Sequence, residues 1–277
     1  MSEAAPIFIT VAPNGARRTK ADHPLLPTTA DEIARCAADC ARAGAAMIHM
    51  HVRDEAQRHS LDADLYKRAI DATRRAAGDD LIIQITTEAA GAYQPPAQMQ
   101  TVREVRPEAV SLALRELCPA PAGEAAYADF LAECADMGVW TQHILYSPDE
   151  VRRFADLRAR GVIPETTSNA LAVIGAYRGG PPSAPALVDA FTDAAREAGD
   201  CLWSVCAFGR SELSVLLHAA ALGWSVRTGF ENNLETPDGT LARDNADLVG
   251  ILAAALEDRR TPPLSAAEVR RRHARRP

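Results

Sequence analysis

The sequence predicts a (β/α)8 barrel, the TIM barrel of the α/β class. Eight short apolar runs of β type alternate with stretches of helical period, and 277 residues is a length at which one such barrel forms. Residues able to do chemistry cluster at the carboxyl ends of the expected strands, where barrels carry their sites. A doubly wound open sheet shares the local alternation, but strand number and motif order favour the barrel. Residues 1–277 read as a single barrel domain ending in a flexible, Arg-rich tail from about 265.

The expected strands run from Ile7 to Ala12, Ala46 to Val52, Leu81 to Thr86, Ala109 to Ala113, Trp140 to Leu145, Asn169 to Ile174, Leu202 to Ala207 and Ser225 to Phe230. Helical character fills Ala30 to Gly44, Asp62 to Ala77, Ala122 to Met137, Ser147 to Arg160, Ala184 to Ala198 and Ser211 to Leu222. Thr29 and Asp62 are placed to cap helix starts, and Gly44 and Gly223 to stop helices. The segment Pro95 to Arg106 is helical only if its two prolines open it, since proline lacks the N–H that a helix interior needs. Two loops are long enough to hold substrate: Pro13 to Pro27, with Arg17, Arg18, Lys20, Asp22 and His23, and Gly175 to Pro185, with Arg178.

A formal charge of −7 and a pI near 5.5 weigh against nucleic acid as a partner, because phosphate binding needs a basic face. The one basic run, Arg270, Arg271, Arg272, Arg275 and Arg276, reads as a solvated tail. No run approaches the roughly 20 apolar residues of a membrane span, and the start lacks the layout of a signal peptide, so a cytoplasmic protein without a membrane partner is expected. The six cysteines show no CxxC pair and read as reduced packing residues.

The chemistry concentrates on two strands. Side chains alternate along a strand, so in Met47-Ile-His-Met-His-Val-Arg53 the pair His49 and His51 shares the barrel-facing side with Arg53, roughly 7 Å apart by strand rise. In Ser225-Val-Arg-Thr-Gly-Phe-Glu231, Arg227 and Glu231 share a face in the same way. Burying such charges unpaired costs several kcal/mol, so they need a partner or a task. Two histidines and a carboxylate leave coordination positions open, as catalytic metal sites do; zinc fits first, with manganese or iron as alternatives. The plainer alternatives are a hydrogen-bonded histidine pair and a Glu231–Arg227 ion pair without metal. No P-loop or GxGxxG fingerprint points to a nucleotide cofactor.

These residues carry a resemblance to the beta-keto acid cleavage enzyme family, typified by 3-keto-5-aminohexanoate cleavage enzymes. It runs nearly end to end through Ile9-Thr-Val-Ala-Pro-Asn-Gly-Ala16, Ala21-Asp-His-Pro24, Ile48-His-Met-His-Val-Arg-Asp54, Ile83-Gln-Ile-Thr-Thr87, Pro107-Glu-Ala-Val-Ser-Leu112 and Val226-Arg-Thr-Gly-Phe-Glu-Asn-Asn233. The resemblance implies a zinc-dependent acyltransferase with the ion on His49, His51 and Glu231. It also implies acetyl-CoA as co-substrate, acetoacetate and a shortened acyl-CoA as products, and a homo-oligomer. The metal is expected to polarise the substrate ketone for attack by an acetyl-CoA carbanion, with Arg227 stabilising negative charge. Thr86 and Ser111 match hydroxyl residues near the substrate, and Gln142 on the fifth strand joins the expected substrate contacts.

Departures from the family pattern shape the remaining expectations. Asn232 stands beside the expected metal ligand where many relatives carry the Asp that serves as general base, and an amide cannot take a proton. Glu88 and Glu116, just past strands three and four, are the replacement candidates, with His143 behind them. Arg17 stands where the aminohexanoate-cleaving type has a Glu suited to an amine, which points to an anionic or neutral distal end on the substrate. Arg178 is the candidate for CoA phosphate. Two other functions fit less well: a metal-dependent C–C lyase or aldolase without CoA, and a non-catalytic ligand-binding barrel, the latter suggested by Asn232.

Overall fold

The computed structural model describes residues 6–165, 169–177 and 183–273. Eight parallel strands close into a barrel: β1 (Ile9–Val11), β2 (Met47–Met50), β3 (Ile82–Thr86), β4 (Ala109–Ala113), β5 (Trp140–Leu145), β6 (Asn169–Ile174), β7 (Leu202–Ala207) and β8 (Ser225–Thr228). Closure sets Thr10 on β1 beside Arg227 on β8 and Met47 on β2. The surrounding helices are α1 (Ala30–Arg42), α2 (Ala63–Ala77), α3 (Pro95–Val105), α4 (Glu124–Asp136), α5 (Pro148–Ala159), α6 (Pro185–Ala195), α7 (Glu212–Ala221) and α8 (Asn245–Asp258). No helix among the described residues is long and apolar enough to cross a membrane.

The expected local signals operate. Thr29 and Glu32 form a reciprocal capping box at α1, and Asp62 accepts from Leu65 N at α2. Pro95 and Pro96 occupy the first turn of α3, where a missing N–H costs nothing. Ile48, Met50 and Val52 pack outward into the main core, leaving the histidines inside. The strands end sooner than expected at two points that matter. Val52–Arg53 leaves the barrel and pairs antiparallel with His59–Ser60. At the other, Gly229 has φ +131° and lies against β1, where a Cβ would sit 2.5 Å from Ala12 O. Only glycine admits both that backbone and that approach, so β8 stops at Thr228 and the chain turns Glu231 over the barrel mouth.

The Arg-rich end departs from the solvated tail expected of it. Residues Ala266–His273 form α9 across the amino end of the barrel, with Ala266 and Val269 buried against Phe8, Met47 and Trp140. Ser265 and Glu268 cap it: the Ser265 N–H and hydroxyl donate to Glu268 Oε2, and Glu268 N donates to Ser265 Oγ. Arg270 is tied down by Glu108 and by the Leu81 carbonyl, while Arg271 and Arg272 are exposed. Arg275 and Arg276 lie outside the described residues.

Candidate active site

At the carboxyl end of β2, His49 and His51 bring their Nε2 atoms to 3.1 Å from each other. Glu231 Oε2 lies 3.6 Å from the first and 3.4 Å from the second. All three residues are buried. His49 Nδ1 meets the Gln84 side-chain carbonyl at 2.8 Å, so that nitrogen carries the proton and Nε2 presents its lone pair inward. Glu231 splits its carboxylate: Oε1 accepts from Arg227 Nη2 at 3.0 Å, and Oε2 has no hydrogen-bond donor. Burial pushes the His49 imidazole down to about 4 and that of His51 to about 3, leaving both neutral. Burial alone would raise Glu231, but Arg227 and the two histidines hold its carboxyl well below the usual range. Two neutral imidazoles and a carboxylate thus converge on one point.

That is the donor set of a divalent cation. Bonds of about 2.0–2.1 Å in tetrahedral geometry place ligand atoms roughly 3.3 Å apart, and the three separations here bracket that value. His49 and Glu231 border a cavity of about 930 Å³, with His51 buried beside them. Its walls come from the loops after several strands, as in other barrel sites.

Asn14 holds the first loop in place. Its amide donates to Pro27 O and His51 O, both at 2.9 Å, and its side-chain oxygen accepts from His51 N. Arg53 shares the inward side with the histidines, but its guanidinium clamps the carbonyls of Gly15, Ala16 and Arg18 rather than entering the cavity.

Arg17, Thr86, Glu88, Glu116 and Arg227 line the cavity together with His49 and Glu231. The two carboxylate candidates differ. Glu116 Oε2 accepts from Ala89 N and Gln98 Nε2, which engages it in holding the third loop. Glu88 receives no hydrogen bond on its carboxylate from the described residues, and its Oε2 stands 3.9 Å from His51 Nδ1. Burial first, then Glu231 and Glu116, push the Glu88 carboxyl up to about 7. Thr86 Oγ1 accepts from Glu88 N at 3.0 Å and from Ser111 Oγ at 3.4 Å, so Thr86 faces the cavity and Ser111 supports it from below.

Three expectations land elsewhere. Gln142 does not border the cavity; it lies in a buried amide chain where Gln84 Nε2 donates to it and it donates to Asn169 and Ser204. His143 alternates with Gln142 and therefore faces the helices, 2.9 Å from the Tyr127 hydroxyl and packed on Phe154, so it stands behind neither glutamate. Asn232 is fully buried, does not border the cavity, and leaves both amide atoms without partners. Arg178 lies outside the described residues.

The sequence reading missed Gln84 and Tyr177. Gln84 carried a signal, an inward polar residue in the apolar run Ile82-Ile-Gln-Ile, paired in register with His49. Tyr177 lies in the sixth loop, lines the cavity and had no signal beyond that loop's length.

A profile of the beta-keto acid cleavage enzyme family matches residues 6–273. The chain is 28% identical over 263 residues to the 3-keto-5-aminohexanoate cleavage enzyme of Fusobacterium nucleatum, covering 88% of each chain. It is 27% identical over 269 residues to the 3-oxoadipate:acetyl-CoA acetyltransferase of Cupriavidus necator, covering 96% of this chain and 93% of that one. Among solved structures, a ternary complex of ObcA with a C4-CoA adduct and oxalate shares the fold at a TM-score of 0.70 and 18% identity, covering 91% of this chain and 68% of that one. The chain belongs to the beta-keto acid cleavage enzyme family and is an enzyme of that family.

Proposed function

We propose that this enzyme transfers the acetyl group of acetyl-CoA to a β-keto acid and cleaves the product to acetoacetate and a shortened acyl-CoA, using a zinc ion. The observation that carries the reading is the spacing of His49, His51 and Glu231, three buried donors within 3.1–3.6 Å of one another, two of which border a large cavity. A divalent cation held by His49, His51 and Glu231 would supply Lewis acidity to the carboxylate and ketone oxygens that a β-keto acid presents side by side. Gln84 fixes the His49 tautomer and Gln142 orients Gln84, the outer-shell arrangement that keeps ligand nitrogens aimed.

Atom balance reverses the direction of attack expected from the sequence. An acetyl-CoA carbanion adding to the ketone cannot give acetoacetate, whose carboxyl half must come from C1 and C2 of the keto acid. The keto acid must instead lose a C2 proton and attack the thioester carbonyl, expelling CoA thiolate. The thiolate then adds to the original ketone, and the C2–C3 bond breaks. Its electron pair is left on a carbon flanked by two carbonyls, which takes the proton back.

Glu88, whose carboxylate takes no hydrogen bond from the described residues, is the base in this reading, in place of the Asp that Asn232 replaces. Arg227 fixes Glu231 and faces the developing charge; Thr86, backed by Ser111, offers its hydroxyl to the substrate carboxylate. Arg17 at the rim favours a distal carboxylate or a neutral end over an ammonium. The test incubates zinc-loaded protein with acetyl-CoA and β-keto acids of differing distal charge, following acetoacetate and new CoA esters by mass spectrometry, with His49→Ala beside it. Product requiring both metal and acetyl-CoA is expected. Cleavage without CoA points to a lyase, and preference for an amine-bearing substrate overturns the role of Arg17.

A further inference from the structure

Tyr177 is half-buried and lines the cavity with its ring, while its hydroxyl oxygen is buried at the cavity's edge with no hydrogen-bond partner among the described residues. Its ring packs on Phe208 at 4.7 Å and lies beneath the Arg17 guanidinium at 5.7 Å. The hydroxyl crowds the same spot as the metal-site glutamate. A Cβ placed on Gly15 would meet Tyr177 Oη at 2.5 Å and Glu231 Cγ at 2.6 Å, and Gly15 itself has φ +64°. The backbone of the first loop thus lies flat between the two, which only glycine permits. Burial, then Glu231 and Glu88, hold the phenol well above its ordinary value, so it keeps its proton.

An unpaired buried hydroxyl costs stability and needs a reason. We propose that Tyr177 is a catalytic residue, the hydrogen-bond donor to the oxyanion that forms on the thioester carbonyl of acetyl-CoA. This rests on the acyl-transfer reading above. In that reaction a divalent cation held by His49, His51 and Glu231 would attract the carboxylate and ketone oxygens of the keto acid. The thioester carbonyl has no such partner. When C2 of the keto acid bonds to the carbonyl carbon, the π pair moves onto oxygen, and the Tyr177 O–H shares its proton with that oxygen without giving it up. The oxyanion then collapses, the C–S bond breaks and CoA leaves as the thiolate. The hydroxyl is unpaired in the free enzyme because its acceptor exists only during reaction, which is the preorganised donor that lowers a barrier most.

The test is Tyr177→Phe on the full-length, metal-loaded enzyme beside the parent. Loss of one oxyanion donor is expected to lower kcat by about 10²- to 10³-fold. KM for the keto acid, affinity for acetoacetate measured by calorimetry, and metal content should stay within about twofold. The thermal midpoint should hold or rise, because the ring contacts remain and an unsatisfied hydroxyl is gone. A variant with parental kcat overturns the assignment, as does one whose activity falls together with its metal content or thermal midpoint, which marks a structural tyrosine. A parent enzyme that makes no acetyl-CoA-dependent product fails the acyl-transfer reading itself, a separate outcome visible before the variant is assayed.

Discussion

Glu108 at the amino end of the barrel and Glu88 at the carboxyl end are both partly buried glutamates, yet their surroundings differ in kind. Glu108 accepts from Arg74, from Arg270 and from Ile83 N; burial alone would raise its carboxyl, but Arg270 and Arg74 hold it below the usual range. The Glu88 carboxylate accepts nothing from the described residues, and burial with nearby Glu231 and Glu116 pushes it up to about 7. The contrast extends past this pair. The amino end also holds a cavity, about 950 Å³ and walled by Trp140, Trp203 and Trp224, but among the described residues no cluster of metal donors converges on it. Two cavities of similar size differ in whether their polar atoms are already spoken for. Paired groups bind the fold together, and unpaired ones wait for a ligand.

The largest effect expected from that contrast is at Glu88. Glu88→Gln keeps the shape and removes the base, so kcat should fall about 10²- to 10⁴-fold with bound metal unchanged; kcat near the parental value moves the base elsewhere. Arg270→Ala should do the opposite, lowering stability by about 1–3 kcal/mol through lost charge-assisted hydrogen bonds while leaving kcat within about twofold. Chemical denaturation and steady-state rates on the same preparation read both, and a stable but inactive variant breaks the comparison.

The smallest and most specific effect is at Glu212. This residue opens α7, accepts from Thr228 and Asn233, and leaves Oε1 unpaired. Burial pushes its carboxyl up to about 8 from an ordinary 4.5. The folded chain then keeps a proton that the unfolded chain releases, so this contribution is whole below about 4.5 and is lost as pH rises to about 8. Thermal melts between pH 5 and 8.5 should show Glu212→Gln with a flatter pH dependence than the parent. Parallel curves put the carboxylate in its ionised form.

The sequence showed the strands well because inward polar residues interrupt outward apolar ones, and a period of two puts His49 and Arg227 on the inner face; Glu231 lies past the turn at Gly229, where strand alternation no longer applies. The same period contained the answers for Gln142 and His143, whose neighbours fix which side each faces. What the sequence did not show was depth. Gln142 points inward but lies below the cavity floor, a distinction set by strand stagger rather than by alternation. Ser265 and Glu268 announce α9 at capping-box spacing, a signal overshadowed by the charge run that follows. Tyr177 was beyond reach, since its place beside Glu231 depends on how the first and sixth loops fold over the mouth.

The seam of the barrel gives the metal site a place in time. His49 and His51 stand on β2 and Glu231 beyond β8, with only β1 between them in space but most of the chain between them in order of synthesis. A polypeptide leaving the ribosome carries both histidines long before its glutamate exists. No partial barrel owns the full ligand set, and the three donors meet only after the last strand pairs with the first. A divalent ion held by these three donors would therefore report that the ring has closed, and a fragment truncated before β8 should be unable to hold it.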